Sequence, residues 1–150
     1  MISDAGPIGS ANIGSACGIF DAEGRVLLVH HTYGRHNWEI PGGIALPGES
    51  PMDAARRELE EETSIRADDG ELTGVYFEPG HDFGPMLHFV FRFQAPLERP
   101  EPQPPEIDGL GWFPIEDLPS PISDFTERRI RDALLERGVF AVVSGRQWRE

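Results

Sequence analysis

Gly42-Gly43-Ile44-Ala45-Leu46-Pro47-Gly48-Glu49-Ser50-Pro51 leads, through Ala54-Ala55, into Arg56-Arg57-Glu58-Leu59-Glu60-Glu61-Glu62, a glycine- and proline-punctuated turn followed by a run dense in carboxylates. Ser50 is placed to N-cap a helix with Pro51 at its first position and Asp53 three residues after the cap, and the periodic pattern lasts to about Thr63. At about 100° per residue, Glu58, Glu61 and Glu62 share an arc of about 100° with Met52, Ala55 and Leu59 beside it, so three carboxylates are expected at the rim of the core. Like charges three and four residues apart each destabilise a helix by about 0.2–0.5 kcal/mol. Arg57 can serve Glu61 at i+4, but a hard divalent cation neutralises the group better. All-oxygen ligation selects Mg²⁺, Mn²⁺ or Ca²⁺ over zinc; Mg²⁺ is the expected ion, with Mn²⁺ acceptable. Glu60 points the other way, toward Arg56, as a solvated pair worth little.

The composition excludes several other chemistries. The 150-residue chain is 39% hydrophobic and 26% charged, which fits one globular domain. A net charge of −13 argues against a general grip on duplex nucleic acid or an anionic membrane, so a phosphate ligand needs local help. All basic residues are Arg, which removes Schiff-base chemistry and a P-loop lysine. Cys17 is the single cysteine, so neither an internal disulfide nor a multi-cysteine zinc site can form, and it reads as a buried strand residue. Met1 to Ser15 lacks a secretory pattern and no stretch is a membrane-span candidate, so a cytoplasmic protein is expected. A homodimer stays open.

Residues 1–12 read as a poorly ordered lead-in and 13–150 as the folded domain. Ala16 to Phe20 and Val26 to His31 read as a hairpin joined by Asp21-Ala22-Glu23-Gly24. Val26-Leu27-Leu28-Val29 is apolar on both alternating faces, which calls for helices on both sides of its sheet. Met86 to Gln94 alternates, with Leu87, Phe89, Phe91 and Phe93 on one face and His88, Arg92 and Gln94 on the other, and should pair antiparallel with Leu72 to Phe77. Five prolines from Pro96 to Pro105 predict a surface loop, Leu110 to Pro114 a short strand. A second helix is expected from Ser123 or Asp124 to Arg137-Gly138, with Ile130, Ala133 and Leu134 inward.

The carboxylate segment fits G-x5-E-x7-R-E-U-x-E-E-x-G-U, with U aliphatic, at Gly43, Glu49, Arg57, Glu58, Leu59, Glu61, Glu62 and Ile65. The chain resembles the Nudix hydrolase family in this, and also in Trp38 to Gly43, Ala54-Ala55, Trp112-Phe113 and Glu116-Asp117-Leu118. That resemblance implies an α+β fold, an α/β/α sandwich around a mixed sheet, and Mg²⁺-dependent cleavage of a nucleoside diphosphate linked to another group. Carried over by position, Glu58, Glu61, Glu62 and the Gly42 carbonyl are implied as metal ligands, with Arg57 and Glu49 orienting them. Ser64 stands where the family has glycine, and His30-His31 where relatives place an arginine near the phosphates.

For such a reaction a carboxylate must take a proton from the attacking water, and Glu58 or Glu61 is the expected base, with Glu106 in the proline-rich loop as the distant candidate. A nucleoside needs stacking and polar partners; Tyr33, Arg35, His36 and Phe83, with His81, lie in the two loops expected to flank the cleft. Trp38 and Trp112 read as core, His88 as a satisfied structural histidine. Pro79, fifteen residues beyond Ser64, resembles a feature of ADP-ribose-cleaving members, so ADP-ribose or a nucleotide sugar is favoured, with nucleoside triphosphates close behind. Two other readings carry weight: a Nudix-like module that senses a nucleotide without turnover, and a plain acidic interaction domain.

Overall fold

Val26, Leu27, Leu28 and Val29 are all completely buried, because packing reaches them from two sides. The computed structural model describes residues 9–150, so the first eight residues of the expected lead-in lie outside the described residues. The order is β1 (Asn12–Ile19), β2 (Val26–His31), β3 (Trp38–Glu39), β4 (Gly42–Ile44), α1 (Pro51–Thr63), β5 (Glu71–Glu78), β6 (Met86–Phe93), β7 (Ile107–Phe113), β8 (Ile122–Ser123), α2 (Asp124–Asp132), β9 (Val139–Val142) and β10 (Trp148–Arg149).

β4, β1, β6, β5 and β9 form, in that order, a mixed sheet of five strands in which β1–β6 and β5–β9 are parallel. β3, β2 and β7 make a separate antiparallel sheet, and β8 pairs with β10. The mixed sheet expected from the resemblance is present, with the smaller antiparallel sheet beside it and helices on both sides. Leu27 packs with Ala55 and Leu59 of α1, whereas Val26 and Leu28 pack with Phe125 and Ile130 of α2. One strand whose alternate side chains enter two cores needs both helices, as its sequence required. Among the described residues no helix is long and apolar enough to cross a membrane.

Two local expectations are corrected. The Ala16–Phe20 and Val26–His31 runs do not form a hairpin: they touch through one bridge, Phe20 to Val26. Both hydrogen-bonding edges of β1 are taken by β4 and β6, so the chain leaving the Asp21–Gly24 turn must start another sheet. The second helix stops at Asp132 and continues as turns, which leaves Leu134 exposed while Ile130 and Ala133 remain buried. The face of β6 that carries His88 and Arg92 is covered as well, with His88 and Val90 buried, and β5 pairs antiparallel with β6 as read.

α1 begins as read, with Ser50 Oγ accepting the Asp53 N–H at 3.1 Å. Its end falls on Ser64, which adopts the left-handed conformation (φ 64°) that a glycine would, its N–H donating to the Glu60 carbonyl at 2.9 Å. The proline-rich loop then docks on the helix end, with the Glu101 and Gln103 N–H groups donating to the Thr63 and Glu62 carbonyls at 2.9 and 3.2 Å. These carbonyls would otherwise be orphaned. Because a left-handed serine carries about 1–2 kcal/mol of strain, Ser64→Gly is expected to stabilise the fold by about 0.5–1 kcal/mol after the glycine's greater unfolded-state entropy is counted. Thermal melts should read this as a rise of about 1–4 °C, and a lowered Tm would contradict the strain argument.

Candidate active site

Three segments meet at the acidic face of α1. The register that sets Ser15 of β1 opposite Gly43 and Ala16 opposite Gly42 lays the glycine pair across that face. The Gly42 N–H donates to Glu62 Oε1 at 2.9 Å. A Cβ on Gly43 would overlap the Glu58 carboxylate, coming within 2.5 Å of its Cδ, so the missing side chain is what lets the carboxylate lie against the backbone.

Arg57 orders the neighbouring acids. Its Nε and Nη2 donate to Glu49 Oε2 and Oε1 at 2.8 and 2.9 Å, its Nη1 to Glu58 at 3.0 Å and Glu61 at 3.2 Å, and its Nη2 also to the Ile44 carbonyl at 3.2 Å. The Arg57 hydrogen bonds, with one from the Leu46 N–H, hold Glu49 down to about 2. Glu58 goes the other way: burial raises it above the ordinary carboxylate value despite Arg57. Glu62 is only 4% exposed, and burial first, then Glu58, Glu39 and Glu106, push it to about 9 against the opposing Gly42 hydrogen bond.

The helical rim expected for all three carboxylates is therefore uneven. Glu62 lies about 20° from Ala55 on the wheel and goes into the core side, while Glu61 remains on the exposed side with Arg57. Among the described residues no three acidic, His or Cys side chains already converge as a ready-made cage. The donor set nevertheless fits a hard cation of the kind the family implies. Glu62 Oε2 is buried with no hydrogen-bond partner, as is Ser15 Oγ, and an orphaned carboxylate oxygen next to a second, partly buried carboxylate is a site that lacks positive charge.

A cleft of about 270 Å³ opens over Gly42 and Gly43. Of the residues expected to hold a nucleotide, Tyr33 lines it, as does His81; His36 and Phe83 do not, and Arg35 reaches it only through contact with Trp148. Tyr33 stacks on His31 at 4.7 Å between ring centres. Burial lowers His31 and raises Tyr33 to about 12. Glu106 is exposed on the docked loop, close enough to act on both Glu58 and Glu62, while His30 pairs with Asp108 at 2.6 Å. Trp38 and Trp112 pack against the cores, and buried Cys17 donates to the Ala55 carbonyl at 3.3 Å, its thiol raised by burial. A larger depression of about 880 Å³ is bounded by Phe20, Ile65 and Phe93; Glu58, Glu61 and Glu62 line neither cavity, and Glu62 and Glu58 meet the smaller cleft through its Gly42 and Gly43 backbone.

Sequence reading missed Glu39, Arg129, Arg146 and Trp148, which also line the cleft. They are brought together from distant segments, and no spacing rule marks them. Arg129 donates to Glu39 at 3.0 Å and Arg146 to Glu78 at 3.0 and 2.8 Å. His88, expected to be structural, meets Glu78 at 2.8 Å. Burial, then Arg129, lower His88 to about 4, while Arg146 and His88 overcome burial to hold Glu78 at about 2.

Acidification should cost stability through both of these groups, while Glu62, whose raised pKa lets the folded protein keep a proton that the unfolded chain gives up, acts in the opposite sense. His88 is neutral in the folded protein but protonates near pH 6.5 when unfolded, so its stabilisation erodes from about pH 6.5 toward 4; the contribution of Glu78 erodes below about 4.5. Between pH 7.5 and 5 a loss of roughly 1–2 kcal/mol is expected from His88. Thermal melts of wild type and His88→Gln check it: going from pH 7.5 to 5, Tm should change more favourably in His88→Gln than in wild type, and an identical change in the two would clear His88 of the effect.

The NUDIX domain family model matches residues 12–134. The chain belongs to the Nudix hydrolase family, and its fold is the α+β sandwich of that family. It is 40% identical over 86 residues to a nucleoside triphosphate pyrophosphatase/Nudix hydrolase fusion protein of Bifidobacterium longum (55% of this chain, 17% of that protein). It is 33% identical over 103 residues to an ADP-ribose pyrophosphatase of Mycobacterium tuberculosis (65% of this chain, 50% of that protein). The chain thus spans half or less of these relatives. A MutT NUDIX hydrolase from Burkholderia pseudomallei superposes with a TM-score of 0.72 at 26% identity, covering 83% of this chain and 98% of that one.

Proposed function

We propose that this chain hydrolyses the phosphoanhydride bond of a nucleoside diphosphate linked to another moiety, with ADP-ribose or a nucleotide sugar favoured over nucleoside triphosphates. The observation that carries the reading is the buried, partnerless oxygen of Glu62, whose other carboxylate oxygen accepts from the N–H of Gly42, a residue that lines the cleft. Glu58, Glu61, Glu62 and the Gly42 carbonyl would hold Mg²⁺, or Mn²⁺ in its place. When bound, the ion would neutralise diphosphate oxygens and make a water easier to deprotonate.

The chain's own groups supply the rest. Arg57 and Glu49 act as a positioning pair, fixing the Glu58 carboxylate under the cleft. Glu58, whose basicity burial increases, takes the proton of the attacking water; Glu61 and Glu106 are the competing bases. Ala16, Ile40 and Met86 border the cleft and limit its water. The preference for ADP-ribose is supported by the name of the mycobacterial relative and by Pro79, just beyond β5 and two residues before His81 of the cleft. The sensing-only reading drew on Ser64 and on His30-His31; the helix end is built as a glycine would build it, while His30 is engaged with Asp108 and offers no arginine-like phosphate contact.

The test is a panel of ADP-ribose, nucleotide sugars and nucleoside triphosphates with Mg²⁺, products identified by mass spectrometry. Nucleoside monophosphate released from ADP-ribose is expected, together with a Tm raised by Mg²⁺ through mass action. No release from any member of the panel overturns the proposal.

A further inference from the structure

A chain end is ordinarily loose unless something ties it down, and here the ties are many. Trp148 of β10 pairs opposite Ser123 of β8. The Gln147 N–H donates to Asp124 Oδ1 at 2.9 Å, and the Asp124 N–H returns a bond to the Gln147 carbonyl at 2.8 Å. Arg149 donates to Glu127 Oε1 at 3.0 Å and the Leu118 carbonyl at 3.2 Å. This anchoring delivers the half-buried indole of Trp148 to the wall of the cleft whose floor is Gly42 and Gly43. The Arg35 guanidinium lies 4.5 Å from the indole centre and meets Glu150 at 3.2 Å, which joins the loop after β2 to the chain end.

The charges at this end of the cleft select among ligands. Arg129 is committed to Glu39 and Arg146 to Glu78, so these arginines offer little net attraction for a phosphate or carboxylate. Trp148 lines the cleft with Tyr33, one face of its indole under the Arg35 guanidinium, and a neutral planar ring stacked on the other face completes a sandwich that such a wall accepts best. We propose that Trp148 is the stacking platform for the substrate's nucleobase, its phosphates lying toward Gly42 and Gly43. The assignment rests on the hydrolase reading above and extends it to which half of the substrate the cleft recognises.

Calorimetric titration of the full chain with AMP, UMP and GMP, and with ribose 5-phosphate as a base-free control, tests it. Wild type should bind at least one nucleotide, Trp148→Ala should weaken that binding about tenfold or more, and Trp148→Phe should keep it within about threefold. Ribose 5-phosphate should bind both variants as it binds wild type. In turnover, Trp148→Ala should raise KM about tenfold with kcat within about twofold. Should Trp148→Ala lose its native circular dichroism, Trp148→Leu, which fills space without a π face, replaces it with the same expectation. Unchanged nucleotide affinity in the folded variant, an equal loss for ribose 5-phosphate, or no nucleotide binding by wild type overturns the proposal. A wild type that binds nucleotide through Trp148 but cleaves no diphosphate sinks the hydrolase reading alone; one that cleaves the panel while Trp148→Ala keeps its KM sinks the stacking platform alone.

Discussion

Glu62→Gln is expected to lower kcat by about a hundredfold or more while the protein remains as stable as wild type or becomes more so. The two halves follow from one geometry. Gln retains an oxygen to accept the Gly42 N–H, as Glu62 Oε1 does at 2.9 Å, and replaces an acid whose charged form burial opposes with a group that never ionises. The fold therefore loses little and the site loses the carboxylate oxygen that has no partner within the protein. Steady-state kinetics together with thermal melts, with and without Mg²⁺, make the check. The Mg²⁺-induced rise in Tm should shrink with the activity; a variant within tenfold of wild-type kcat would move the chemistry off this helix.

Arg57→Lys should cost activity about tenfold to a hundredfold although the charge is kept. The guanidinium spans Glu49 with two donors while reaching Glu58, Glu61 and the Ile44 carbonyl. An ammonium on a flexible stem cannot hold that fork, so Glu58 loses its fixed orientation under the cleft. Because Arg57 acts through Glu58, the loss should fall mainly on kcat, with KM changing less, and Glu49→Gln should reproduce part of it. Wild-type kcat in Arg57→Lys would show that net charge, rather than the fork, is what the site requires.

How much of this was legible beforehand differs from element to element. The extent and acidic face of α1 could be read because their information is local: the Ser50 cap, Pro51, the 3.6-residue period and the carboxylate spacing all lie within one segment. The same locality made the Arg57 pairing with Glu61 readable, whereas its pairing with Glu49 was implied by the family resemblance. The Asp21–Gly24 turn was also readable, but a turn does not state what its flanking strands pair with. β4 and β6 had already saturated β1. The second helix was overrun for a related reason, since the basic turn and Gly138 are stop signals that the chain does not use; the helix ends at Asp132 before reaching them.

By itself the sequence determined the family, the two-sided packing around β2 and the carboxylate helix, since each depends on side-chain type and spacing along a few turns or one strand. Tertiary structure alone decided which carboxylate is buried, with Glu62 inside and Glu61 out. It also decided the division into two sheets and the assembly of Glu39, Arg129, Arg146 and Trp148 on one cleft. The physical reason is that desolvation and cleft shape are properties of segments far apart in the chain, and become defined only when the β1–β4 register and the docked C-terminal strand bring those segments together.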